Sequence, residues 1–382
     1  MNFPLDKFKQ TPTPFYYYDT ALLRATLSEI GRCIAGLPFK VHYAMKANAN
    51  ERILAIIREA GLGIDCVSGG ELAAAINAGF AGSEIAFAGV GKTDKEIVAG
   101  IDNDIFCFNV ESVPEMEVIN EIAAAKGKVA RIAIRVNPNI DAHTHKYITT
   151  GLNENKFGIN LPQIDEVVDA ALAMPNVELI GLHFHIGSQI CETGPFVMLC
   201  EKANELQDKL EARGVALKII NVGGGLGIDY GNPDGAAIAD FEGYFGIFKS
   251  HLKLREWQEL HFELGRAVVA QCGSLITRVT YVKTGIAKKF VIVDAGMSDL
   301  IRPALYQAHH KIENISASTD AATEVYDVVG PICESSDCFG TDETLSVTKR
   351  GDFIALRSAG AYGEIMASRY NCRDFPGAVY SE

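Results

Sequence analysis

Residues 40–61 read KVHYAMKANANERILAIIREAG. Apolar and aromatic residues alternate up to Lys46, the pattern of a short strand. A small polar turn, ANAN, follows, and then an amphipathic run that closes on a glycine, as a helix C-terminus does. The segment is one strand–turn–helix unit with a lysine at the tip of its strand. A buried ammonium is costly unless it is paired or consumed by covalent chemistry. The plain alternative is a lysine whose stem packs while its head reaches water.

The unit recurs. Further strand candidates lie at 63–68 (GIDCVS), 85–90 (IAFAGV), 105–110 (IFCFNV), 131–137 (RIAIRVN), 179–186 (LIGLHFHI), 218–223 (KIINVG) and 259–264 (ELHFEL). Helical runs such as GELAAAINAGF (70–80) and CEKANELQDKLEARG (200–214) alternate with them. Strand–helix alternation implies parallel strands, and eight units in about 230 residues is the count of a (β/α)8 barrel. A doubly wound open sheet competes, and the count favours the barrel.

After about residue 268 the helical period fades. RVTYVKTG (278–285), KKFVIVDAG (288–296), ATEVYDVVG (322–330) and TLSVTKRGDFIALRSAG (344–360) alternate with turn residues, as in an all-β sandwich or barrel-like domain. The early PFYYYD (14–19) also reads as a strand and lies outside the eight units. The expected division is a barrel over 28–267 and a discontinuous β domain of 1–27 with 268–382.

A net charge of −13 argues against a nucleic-acid partner, since phosphate binding needs a basic face. No run of eighteen apolar residues occurs, so no spanning helix is expected and no membrane partner. The start, MNFPLDKFKQTPTPF, lacks the apolar core of a secretory signal. Nine cysteines at irregular spacing, with no C-x-x-C, fit a reducing cytoplasm better than a disulfide framework or a zinc ribbon.

Function in a (β/α)8 barrel sits at the C-terminal ends of the strands. Lys46, Asp65, Ser68, Arg135, Asn137, His183, His185, Ser188, Gly223, Gly224, Gly225, Glu263, Gly265 and Arg266 all fall there. NVGGGLGIDY (221–230) follows a strand, and its backbone N–H groups can wrap an anion. It is not the dinucleotide fingerprint, because position 228 is Ile, and no P-loop Lys follows. A single phosphate suits it better, with Arg266 and Ser188 as further donors. HFH (183–185) could put two imidazoles on one face for zinc, but His143, His145, His309 and His310 lie in apparent loops. Glu263 could hold a heteroaromatic nitrogen protonated, or simply pair with Arg266. A lysine, phosphate donors, a stacking imidazole and a pyridinium partner are together what pyridoxal 5′-phosphate requires.

The chain resembles the alanine-racemase-type pyridoxal enzymes, and within them the Orn/Lys/Arg decarboxylase class, nearest the branch that acts on diaminopimelate. The likeness runs through YAMKAN (43–48), GIDCVSGGEL (63–72), FNVES (108–112), RVNPN (135–139), HKYITTG (145–151), KFGI (156–159), GLHFHIGSQI (181–190), NVGGGLGIDY, ELGR (263–266), VDAGMSDLIRPALY (293–306), GPICESSD (330–337) and GAYGEIMASRYN (360–371). It implies Lys46 as the Schiff-base lysine and His185 as the residue stacked on the ring. Gly223, Gly224, Gly225, Ser188 and Arg266 would hold phosphate, Glu263 the ring nitrogen, and Asp65, Gly265 and Tyr362 would complete the cofactor set. Cys333 would donate the proton, and Arg266, Arg302, Tyr306, Glu334 and Tyr362 would meet substrate. Leu264 stands where the family usually has Pro, and Asn155 where it has Ser.

The implied reaction is decarboxylation of meso-2,6-diaminopimelate to L-lysine and CO2. A distal amino-acid head needs a cation and an acid, which Arg302 and Glu334 would supply, whereas ornithine's lone ammonium needs acids only. A decarboxylase of carboxynorspermidine or ornithine, and a non-catalytic pyridoxal-binding homologue, are the alternatives. The resemblance also implies a head-to-tail homodimer in which the partner supplies Cys333 and Glu334.

Overall fold

All eight expected strands form in the computed structural model, which describes residues 3–141, 156–318 and 320–381. They are β1 (Phe39–Ala44), β2 (Gly63–Cys66), β3 (Ile85–Phe87), β4 (Cys107–Val110), β5 (Ala130–Asn137), β6 (Val177–Phe184), β7 (Ile219–Asn221) and β8 (Glu259–Leu264). Each pairs in parallel with the next, and β8 returns to β1 with Leu260 opposite Phe39 and Leu264 opposite Tyr43. That last pairing closes the ring and removes the open-sheet alternative. A two-residue strand, Ile159–Asn160, adds to the end of β5.

Local chemistry places the helices. Asn50, Ser68 and Ser112 each accept a backbone N–H at the start of the helices Glu51–Glu59, Gly69–Asn77 and Val113–Ala125. Thr93 and Glu96 form a reciprocal capping box on Asp94–Asp102. Gly61, Gly79 and Gly214 follow helices with φ of 77°, 87° and 81°, the left-handed turn read from the sequence. Ser68, expected on the functional rim, is spent on its cap.

Alternation along the strands sorts side chains into two layers. Outward, Phe262 packs edge-on with Phe39 and with Phe245 and Phe248 of the helix Phe241–His251, and Phe39 lies tilted against Phe245. Burying one such ring stabilises the fold by roughly 1.5–3 kcal/mol. Inward, Ala86, Cys107, Ala133, Ile180 and Ile219 form an apolar cluster. Beside it the rings of His42 (β1) and His261 (β8) meet, Nε2 to Nδ1 at 2.8 Å, with Phe106 stacked on His261 at 4.9 Å.

This barrel unit comprises Leu27–Gly227 and Asp240–Gly265. The second unit comprises Met1–Thr26, Ile228–Ala239 and Arg266–Glu382. The excursion Ile228–Ala239 and the segment from Arg266 therefore group with the β unit, a departure from the continuous span 28–267. The reason is local to that unit: Arg357 Nη2 donates to Asp234 Oδ1 at 2.7 Å, and the Gln271 amide donates to the Ala236 carbonyl.

The second unit is built on one mixed sheet of eight strands. Its central path runs Ile312–Asn314, Phe353–Leu356, Gly273–Thr284, Lys289–Val293, Thr323–Val329, Cys338–Ser346. The early strand Phe15–Tyr18 joins it, antiparallel to Gly273–Thr284 and parallel to Gly377–Tyr380. Phe8, Phe15, Tyr17, Ile276, Phe353 and Ala355 form a core there.

Burial, and then the neighbouring His261, push His42 down to about 4. The unfolded chain binds that proton near pH 6.5, so stability is full above about 6.5 and falls as pH drops toward 4, by on the order of 3 kcal/mol. Urea midpoints measured between pH 7 and pH 4.5 should show this loss, and His42→Gln should remove part of the slope.

Candidate active site

The YAMKAN stretch ends its strand at Ala44 and turns at once into a 3-10 turn, Met45–Ala47, that carries Lys46. Lys46 thus stands just beyond the strand rather than as its last residue. The turn is pinned by Asn48 N–H donating to the Met45 carbonyl at 3.0 Å and Tyr43 Oη donating to the Asn48 carbonyl at 2.9 Å. Gly265 makes room for it: a Cβ there would stand 3.1 Å from Ala47 Cβ and 3.2 Å from Ala44 Cβ. The Lys46 side chain is one-third exposed (33%), and its Nζ lies 3.7 Å from Asp65 Oδ2.

Asp65 is fully buried, and neither carboxylate oxygen has a hydrogen-bond partner among the described residues. Burial, reinforced by the charge of Glu263, pushes its pKa well above the usual carboxylate range against the pull of Lys46. Two buried acids of the barrel, Asp65 and Glu263, are held in opposite states.

Glu263 is the other. Its Oε1 accepts from Asn109 Nδ2 at 2.9 Å and Asn221 Nδ2 at 2.8 Å, and its Oε2 lies 3.0 Å from His183 Nε2. Burial alone would raise its pKa, but His183, by charge and hydrogen bond, and then Lys46 outweigh it and hold the group below the usual range. β8 and β4 are not neighbours, so the bond to Asn109 crosses the barrel interior. His183, read as a packed or zinc-binding imidazole, is spent on Glu263. Asn109 and Asn221 were not singled out as site residues, and their only signal is a polar residue near the end of an apolar strand.

Asn221 does two things. Its Oδ1 also accepts the Gly223 N–H at 2.9 Å, tying the glycine turn to Glu263. Gly223 (φ 69°) and Gly225 (φ 107°) adopt left-handed conformations. A Cβ on Gly223 would meet the Phe184 carbonyl at 2.3 Å, and one on Gly224 the Glu263 carbonyl at 2.0 Å. The next loop, carrying Ser188, is clamped to this turn by Ile190 N–H donating to the Gly225 carbonyl at 2.8 Å. His185, partly buried in that loop, accepts the Gly187 N–H at Nδ1. Burial and then the charges of Lys46 and Arg135 push its pKa well down, so it is a neutral ring.

Within the second unit, Arg266 Nη1 donates to Tyr230 Oη at 2.6 Å, and its guanidinium lies over the Tyr362 ring at 4.9 Å. Arg302 opens the short helix Arg302–Tyr306 and lies over the Tyr230 ring at 4.8 Å. Tyr306 ends that helix and is half-buried. Tyr230, inside the glycine motif but missed as a site residue, stands between two guanidiniums. Cys333 and Glu334 are exposed in a turn whose backbone Asp337 ties down by accepting the Ile332 and Met297 N–H groups. Glu334 Oε1 accepts from Tyr370 Oη. His143, His145 and Asn155 lie outside the described residues.

The donor set of the barrel fits pyridoxal phosphate. An ionised, buried carboxylate suits a pyridinium nitrogen, a glycine turn leaves N–H groups open to phosphate, and a one-third exposed lysine can meet an aldehyde. A family model described as the pyridoxal-binding domain of pyridoxal-dependent decarboxylases matches residues 21–270. The chain belongs to that family. A diaminopimelate decarboxylase of Bacteroides thetaiotaomicron is 63% identical over 381 residues, covering 100% of this chain and 98% of its own. One from Neisseria meningitidis is 42% identical over 95% of this chain and 86% of its own. The crystal structure of diaminopimelate decarboxylase from Helicobacter pylori complexed with L-lysine matches with a TM-score of 0.93 at 40% identity, over 99% of this chain and 94% of that one.

Asn221→Ala removes one donor from a buried carboxylate and the tether of Gly223. Losing a hydrogen bond to a buried charge costs about 1.5–3 kcal/mol, so pyridoxal phosphate should bind roughly 10- to 100-fold more weakly. Titration of the apoprotein, followed by the cofactor's visible band, measures it.

Proposed function

We propose that this chain decarboxylates meso-2,6-diaminopimelate to L-lysine and CO2. The observation that carries the substrate reading is Arg302. The residue is buried, with a relative exposure of 5%, and its guanidinium has no carboxylate partner among the described residues. A buried cation left without a counter-ion calls for an anion from outside the chain. The distal carboxylate of diaminopimelate is one, and ornithine has none. The full-length likeness to enzymes of that name supports the same substrate.

Bound pyridoxal phosphate supplies an aldehyde for the substrate's amino group and an electron sink for the pair left when CO2 departs. Lys46 would hold that group through its amine. Asp65, 3.7 Å away and shifted toward its neutral form, is placed to hold a proton for the lysine. Glu263, kept ionised by His183, Asn109 and Asn221, stabilises positive charge on the ring nitrogen. His185 would face the ring, and Gly223, Gly224, Gly225, Ser188 and Arg266 would hold the phosphate. Gly265 gives the Lys46 turn its seat, and Tyr362 packs on Arg266. Arg302 and Tyr306 meet the distal carboxylate and Glu334 the distal ammonium. As the bond to the carboxylate breaks, the α-carbon takes a proton from the Cys333 thiol.

Cys333 and Glu334 are assigned to the partner's site in a head-to-tail homodimer, which sedimentation of the holoenzyme tests directly. A sedimenting monomer with full activity would sink the assignment. We place the protein in the cytoplasm on its nine free cysteines, which a reducing compartment keeps as thiols.

The deciding assay is CO2 release from meso-diaminopimelate, ornithine and carboxynorspermidine. Turnover of ornithine without meso-diaminopimelate would reverse the substrate. Lys46→Ala should abolish the borohydride-sensitive visible band with the fold intact. Cys333→Ala should lower kcat by about 10²- to 10⁴-fold, the usual weight of a positioned proton donor. Unchanged turnover would remove Cys333 from the reaction.

A further inference from the structure

We propose that His310 is the positioning residue of the substrate clamp: it aims Arg302 while leaving the guanidinium's charge unspent. The inference rests on the reading that Arg302 takes the distal carboxylate.

His310 is completely buried and hydrogen-bonded at both ring nitrogens. Its Nε2 lies 2.9 Å from Arg302 Nη1, and its Nδ1 lies 2.8 Å from the Arg357 carbonyl oxygen. The partners settle the tautomer. A carbonyl oxygen only accepts, so Nδ1 carries the hydrogen; a guanidinium only donates, so Nε2 is bare. Burial, followed by the charge of Arg302, pushes His310 down to about 3, so the arrangement holds across the working pH range.

The acceptor behind His310 is rigid. Arg357 follows the strand Phe353–Leu356, and its N–H donates to the Lys311 carbonyl at 2.9 Å. Its guanidinium donates to Glu313 Oε2 at 2.6 Å and to Asp234 Oδ1 at 2.7 Å. Glu313 and Asp234 are therefore occupied by Arg357. Tyr230 closes the other side, its ring meeting His310 edge-on at 5.1 Å and lying under Arg302.

The choice of a neutral acceptor has a physical consequence. A carboxylate at position 310 would orient Arg302 equally well but would also neutralise it, and the substrate's carboxylate would have to compete. A neutral imidazole fixes one N–H of the fork and, like the Tyr230 hydroxyl that also bonds it, leaves the charge uncancelled for the ligand. Burying Arg302 without a counter-ion then favours ligand binding, since an incoming anion relieves that cost.

Three variants of the holoenzyme test this. His310→Leu removes the acceptor, His310→Gln restores an acceptor oxygen without charge, and His310→Glu supplies a charged one. His310→Leu should raise KM for meso-diaminopimelate about 10- to 100-fold, the effect of one hydrogen bond to a charged group, with kcat within about threefold and an unchanged cofactor band. His310→Gln should return KM to within a few-fold of wild type, and His310→Glu should leave it raised. Inhibition by L-lysine, which keeps the distal carboxylate, should weaken in parallel. Inhibition by 1,5-diaminopentane, which lacks it, should not move. If His310→Leu does not fold, the Gln and Glu pair, matched in size, decides alone. Equal KM in that pair, unchanged KM in His310→Leu, or equal weakening of both inhibitors overturns the proposal while the substrate reading stands. Wild-type protein inactive on meso-diaminopimelate would overturn the substrate reading and this inference with it.

Discussion

The carboxylate of Glu263 constrains the barrel more than any other group. It is buried and ionised, a state that costs several kcal/mol unless donors surround it. Its donors come from β4, β6 and β7, and it stands on β8. Four strands must therefore hold their register together, and the ring must be closed for Asn109 to reach across it. Asn221 passes the same constraint to the glycine turn through Gly223, and the Glu263 carbonyl presses on Gly224 so closely that no side chain fits. Glu263 and the glycine turn are thus positioned by one network.

A common device recurs in both units. In the barrel, two acids share one interior in opposite states, Asp65 pushed toward neutrality by burial and Glu263 held ionised by His183 and two amides. In the second unit, Arg302 is held by a neutral imidazole and a tyrosine ring in place of a carboxylate. Each case leaves a charge or a proton available for a ligand. A fully compensated ion pair in the same place would be stable and chemically idle.

Much of this was legible in the chain. The strand that leads into Lys46 and the C-terminal glycines at 61, 79 and 214 rest on local preferences that tertiary packing did not override. The rim lysine, the triple glycine and Glu263 stood out as polar or conformationally special residues at strand ends. Less legible were Asn109, Asn221, Tyr230 and His310, whose roles depend on what lies opposite each side chain across a barrel or a sheet. His310 was visible only as a loop histidine weighed for zinc. Its meaning needed Arg302, eight residues earlier, and the Arg357 carbonyl, 47 residues later.

The sequence by itself determined the parallel eight-unit barrel, the appended β unit and the residue types that a pyridoxal enzyme needs, because periodicity, turn chemistry and strand-end polarity are local properties. Only the tertiary structure decided that Lys46 sits on a turn beyond its strand, that residues 228–239 belong with the β unit, and that Glu263 answers to His183. Those outcomes hang on distances between residues far apart in the chain, and on the cost of leaving a buried charge without a donor. Neither quantity is written in any single stretch of sequence.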